Sequence, residues 1–70
     1  MPIVHIEIIE GRPASAKRAL IEQVTNAVVD TMDVKPAQVR VLITELKPEH
    51  WAIGGVPTSE RSAAAVHAGS

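Results

Sequence analysis

Apolar positions along the chain follow two different periods. In residues 2–10, PIVHIEIIE, Val4, Ile6 and Ile8 alternate with Ile3, His5, Glu7 and Ile9, so one face is wholly apolar and the other mixed. Alternation among β-branched residues predicts a strand. Gly11 breaks the run, and Pro13 presets φ for a helix start. From Ala14 to Met32 the period becomes 3.6. Leu20, Val24, Ala27, Val28 and Met32 share a stripe, with Ile21 at its edge, and Lys17, Arg18, Glu22, Gln23, Asn26 and Asp30 lie mostly opposite. This predicts one long amphipathic helix. Asp33 and Pro36 mark its exit, because the residue before a proline is biased away from the α region. Residues 39–45, VRVLITE, predict a second strand, with Val39, Val41 and Ile43 on one face and Arg40, Leu42 and Thr44 on the other. Strand, helix and strand make a βαβ unit of the α/β class (α+β by some schemes), its two strands parallel and joined by a right-handed crossover.

The segment KPEHWAIGGVP follows, and Gly54-Gly55 permits a short hairpin. The Ala- and Ser-rich stretch Thr58–Ser70 reads as a short helix or a partly disordered tail, flexible from about residue 57. No internal repeat or linker divides the chain, so residues 1–70 read as one domain.

Composition adds a requirement for partners. A chain of 70 residues buries only about 60% of its unfolded surface. It has no cysteine, and no His/Asp/Glu spacing suggests a metal. Yet 46% of it is hydrophobic, nearly all aliphatic, with one Trp and no Phe or Tyr. Two strands and one helix also leave sheet edges and a sheet face uncovered. The expectation is a dimer that extends the sheet, or a larger assembly of such dimers. A net charge of −1 argues against nucleic acid, no apolar run is long enough for a membrane span, and no signal peptide is apparent, so a cytoplasmic location is expected.

Few residues carry chemistry. Removal of Met1 before a small second residue would leave Pro2 as a secondary amine at the head of a strand. Burial disfavours its cation and brings it towards the range of a useful base. A Met-Pro start with no role at all is the plainer reading of that residue alone. Arg12 follows the Gly11 break, at the strand end where open α/β layouts place ligands, unless it is simply solvated. Arg40 lies in an apolar strand, where it must reach solvent, a ligand carboxylate, or Glu7, Glu10 or Glu45. Trp51 suits a pocket wall or a subunit interface. His5, His50 and His67 show no catalytic or metal spacing, and Glu7 and Glu10 share a strand but no face.

Taken in order, Pro2, then Glu10-Gly11-Arg12, a helix, Val39 to Glu45, and His50-Trp51-Ala52-Ile53-Gly54-Gly55 closely resemble the 4-oxalocrotonate (2-hydroxymuconate) tautomerase family over about residues 2–56. The resemblance implies dimers with a four-stranded sheet backed by two helices, three of which make a homohexamer with shared pockets. It implies that processed Pro2 shuttles a proton in keto–enol tautomerisation of a small carboxylate substrate, without metal or cofactor. By the same resemblance Arg12 would hold the distal carboxylate. Arg40, from a neighbouring subunit, would hold the 2-oxygen and its adjacent carboxylate, and Trp51 would replace the more usual pocket Phe. Two rivals remain. Hydrolytic dehalogenases share the scaffold but need a carboxylate and a second arginine where Ile53 and Ile9 stand here. A non-catalytic oligomeric module would need neither Pro2 nor the arginines.

Overall fold

The computed structural model describes residues 1–60. Strand β1 (Ile3–Ile9), helix α1 (Ala14–Met32) and strand β2 (Arg40–Leu46) come first, followed by the two-residue strands β3 (Ala52–Ile53) and β4 (Val56–Pro57). Short 3-10 turns occupy Pro36–Gln38, Pro48–His50 and Thr58–Glu60. β1 pairs with β2. The Arg40 N–H donates to the Pro2 carbonyl (3.0 Å) where both strands begin, and the Glu10 N–H to the Leu46 carbonyl (2.9 Å) where both end. The strands are therefore parallel, as a helical crossover requires. The β-α-β order and the hairpin agree with the expected fold class.

The described residues fall into two compact units. The first comprises Met1–Ile6 and Gly11–Ile43. Here Val4, Ile6, Val41 and Ile43 are half-buried while Ile3, His5, Arg40 and Leu42 are exposed. α1 is the only long element of this unit able to cover the first set. Its own half-buried residues are Lys17, Val24, Thr25, Val28 and Val29. No helix residue is fully buried. The inward stripe thus departs from the sequence expectation: Leu20 and Met32 stay exposed, because two strands are too narrow to cover the whole apolar surface of the helix. Pro13 caps α1 with extended backbone, its carbonyl accepting from the Ala16 and Lys17 N–H groups. Asp33 closes the helix in the left-handed conformation, φ 53°.

The second unit comprises Glu7–Glu10 and the chain from Thr44 onward. Gly54 (φ 60°) and Gly55 (φ 83°) form the tight turn that pairs Ile53 with Val56 and Ala52 with Pro57. Two successive positive φ values are what a two-residue hairpin needs to match strand twist. Thr58, only 1% exposed, locks the hairpin down. Its N–H donates to the Trp51 carbonyl (2.8 Å) and its Oγ1 to the Pro48 carbonyl (2.9 Å). The expected tail therefore begins as a 3-10 turn at Thr58–Glu60; its remainder, with His67, lies outside the described residues. β2 begins at Arg40, one residue later than the hydrophobic pattern suggested, and Val39 is buried just ahead of it.

Candidate active site

Pro2 and Arg40 open the two paired strands, and the backbone bond between them makes them neighbours. Pro2 is half-buried. Arg40 owes its place to the 3-10 turn before it. Pro36 starts that turn, the Lys35 N–H donates to Gln38 Oε1 (2.9 Å), and the Val39 N–H donates to the Pro36 carbonyl (3.1 Å). The turn presents the Ala37 carbonyl, which accepts from Arg40 Nη1 at 2.7 Å, with a longer contact to the Val39 carbonyl at 3.4 Å. Arg40 thus turns to backbone carbonyls, an outlet that the sequence reading did not name. Both contacts use Nη1. Among the described residues the Nε–Nη2 edge of the guanidinium takes no partner, and that edge can bind a carboxylate through two parallel hydrogen bonds.

Arg12 lies at the opposite end of β1, exposed between Gly11 and Pro13. Gly11 has φ 127°, a conformation in which a side chain would be strained, and it redirects the chain from strand to helix. A strand rises about 3.3 Å per residue, so β1 alone separates Pro2 from Arg12 by roughly 20 Å. A six-carbon diacid is much shorter. Pro2 and Arg12 of one chain therefore cannot hold the same small molecule.

Trp51 belongs to the second unit and is half-buried. It follows the Pro48–His50 turn, whose Pro48 carbonyl accepts its N–H at 3.3 Å. Glu7, Leu46, His50, Trp51 and Ala52 line an open pocket of about 230 Å³. The sequence reading gave Leu46 no role, weighed Glu7 only as a partner for Arg40 and took His50 and Ala52 only as part of the family-like run, although strand alternation does put Glu7 on the open face. Ile9 is buried (7% exposed) and Ile53 is 40% exposed; neither can activate water. Among the described residues, no group of three His, Cys, Asp or Glu side chains could hold a metal, and no helix is long and apolar enough to cross a membrane.

Comparison with known proteins places this geometry in company. The family model described as "Tautomerase enzyme" matches residues 2–61. A 2-hydroxymuconate tautomerase from Pseudomonas sp. (strain CF600) is 47% identical over 60 residues, covering 86% of this chain and 95% of that protein. A solved structure from work on the 4-oxalocrotonate tautomerase isozymes of Methylibium petroleiphilum superposes with TM-score 0.84 at 44% identity, covering 90% of this chain and 98% of the other. A heterohexameric 4-oxalocrotonate tautomerase from Chloroflexus aurantiacus J-10-fl gives TM-score 0.84 at 34% identity, with 89% and 100% covered.

Proposed function

This chain belongs to the tautomerase family and is a tautomerase, and from that premise we propose that it converts a 2-hydroxy-2,4-dienoic diacid such as 2-hydroxymuconate to the 2-oxo-enoate, with processed Pro2 as the proton shuttle. The observation that carries the reading is the position of Pro2, half-buried at the head of β1, in a chain 47% identical to a 2-hydroxymuconate tautomerase, with Arg40 supplied by a neighbouring subunit as the resemblance implies. Once Met1 is removed, the Pro2 nitrogen takes the proton of the 2-hydroxyl group. The oxygen lone pair becomes the carbonyl, the double bonds shift along the chain, and the distal carbon receives the proton back from the same nitrogen. One group acts as general base and then as general acid. The Nε–Nη2 edge of Arg40, which takes no partner among the described residues, suits the 2-oxygen and the adjacent carboxylate, where negative charge develops. Trp51 enters this reading through the resemblance alone, as an aromatic wall of the substrate pocket.

Arg12 serves the distal carboxylate in this reading, and the length of β1 requires it to come from a second copy. We therefore infer that the working form is an oligomer of this single-domain chain, a homohexamer by analogy, with its sites shared between subunits. Apolar exposure supports this: Ile3 is 67% and Leu42 50% exposed on the face of the sheet turned away from the helix.

The deciding experiment pairs intact mass with an ultraviolet assay of 2-hydroxymuconate ketonisation. Loss of Met1 and rapid ketonisation are expected. Full activity in protein that retains Met1 would overturn the role of Pro2, because its nitrogen would then be a tertiary amide with no basic lone pair.

A further inference from the structure

The Pro36–Gln38 turn ends in a carbonyl that its own backbone leaves open. The Lys35 carbonyl accepts the Gln38 N–H (2.9 Å), and the Pro36 carbonyl accepts the Val39 N–H (3.1 Å). By the same pattern the Ala37 carbonyl would take the Arg40 N–H, but that N–H goes to the Pro2 carbonyl (3.0 Å). An orphan carbonyl at the end of a helical turn favours a cationic donor. The Arg40 side chain supplies one, through Nη1 at 2.7 Å.

The Ala37 carbonyl stays in place only as far as the turn is rigid. The far end of the turn is anchored by Val39, 9% exposed. The near end is exposed at Lys35 and Pro36, and a single side-chain bond closes it: the Lys35 N–H donates to Gln38 Oε1 at 2.9 Å. With the Gln38 N–H bonded to the Lys35 carbonyl, the two residues are tied in both directions.

We propose that Gln38 is a positioning residue for Arg40: it closes the turn that holds the Ala37 carbonyl, and that carbonyl fixes the guanidinium through Nη1. A planar guanidinium fixed before substrate arrives loses less freedom on binding charge, and a displacement of about 1 Å at such a group can lower turnover by up to about a hundredfold. The part of Gln38 in the reaction rests on the reading above, whereas its tie to Arg40 lies within one chain.

The test uses the processed full-length chain. Gln38→Ala and Gln38→Met remove the acceptor, the second keeping the length of the side chain. Gln38→Glu keeps the acceptor, since a glutamate makes the same cap. Two readouts are taken: kcat and KM for ketonisation of 2-hydroxymuconate, and the steady-state ¹⁵N NOE of the Arg40 Nε–H, identified by its loss in Arg40→Ala. The expected result is a kcat about tenfold lower in Gln38→Ala and Gln38→Met, with KM within about twofold, circular dichroism unchanged and the Nε–H NOE reduced. Gln38→Glu should keep kcat within about threefold, with the NOE of the unmodified chain. In an Arg40→Ala background, Gln38→Ala should change kcat by less than about twofold; a turn that mattered only for folding would cost the same in both backgrounds. Undiminished kcat in Gln38→Ala and Gln38→Met, a loss shared by Gln38→Glu, or the same loss persisting without Arg40 would each overturn the proposal. The NOE separates the two ideas. If 2-hydroxymuconate is not turned over, the reading above falls, while an Nε–H NOE that drops in Gln38→Ala and is retained in Gln38→Glu still upholds the tie. Turnover with an Nε–H NOE indifferent to Gln38 removes the positioning role and leaves the reaction.

Discussion

At the scale of single residues, the chemistry divides between a base and two cations with separable signatures. Pro2→Ala keeps a main-chain amine but replaces the secondary amine of the ring with a more mobile primary one. We expect kcat/KM for 2-hydroxymuconate to fall by about 10²–10⁴, the usual span of a lost acid–base group, with circular dichroism unchanged. Retained activity would mean that another group moves the proton. The arginines should divide kcat from KM. Arg40, proposed to meet charge that grows during the reaction, should mainly lower kcat when changed to Ala, whereas Arg12→Ala should mainly raise KM for a diacid. Equal effects on both constants by both variants would remove the division of roles. Arg40 also shows where sequence reading stops at this scale. Its strand position was legible from the period-2 pattern. That Nη1 is satisfied by the Ala37 carbonyl was not, because that contact depends on the 3-10 turn at Pro36–Gln38, and three residues are too few for a periodicity to register.

Among the elements, the long ones and the glycine hairpin were legible and the 3-10 turns were not. β1 and α1 follow from two unmistakable periods, and Gly54-Gly55 announced the hairpin. The turns at Pro48–His50 and Thr58–Glu60 left no pattern, yet they fix Trp51 through the two hydrogen bonds of Thr58. Thr58→Val retains the shape but removes the hydroxyl that reaches the Pro48 carbonyl. It should cost about 1–2 kcal/mol of stability, read as a lower melting temperature together with a shifted Trp51 emission. An unchanged emission would mean that the hairpin stands without this tie. The helix end predicts the opposite sign. Asp33 sits at φ 53°, where glycine avoids the Cβ penalty, so Asp33→Gly should raise stability by up to about 1 kcal/mol. A fall in melting temperature would show that the Asp33 side chain contributes more at that cap than its backbone conformation costs. The Trp51 pocket belongs to this scale too. Glu7, Leu46 and His50 come from three elements, and only their pairing and the hairpin fold bring them to one wall.

For the whole molecule, the question is what completes a chain whose buried hydrophobic residues, among those described, are Ile9 and Val39 alone. The need for partners was legible in sequence, since a short aliphatic chain without cysteine has few other routes to stability. Which residues must cross between chains was not, because that follows from the length of β1. A strand placing Pro2 and Arg12 roughly 20 Å apart makes a site that uses both of them intermolecular, and this can be tested without knowing the assembly's symmetry. Pro2→Ala chains lack the base but carry Arg12; Arg12→Ala chains lack the clamp but carry Pro2. Each variant alone has no complete site. When the two are unfolded together in equal amounts and refolded, a random assembly pairs an intact Pro2 with an intact Arg12 in about one site in four. Ketonisation of 2-hydroxymuconate at low substrate should then recover to about a quarter of the unmutated rate, while mixing the folded variants without unfolding should recover little until subunits exchange. If both residues served one site from the same chain, no mixture could restore it, and the rate would stay at the mean of the two variants.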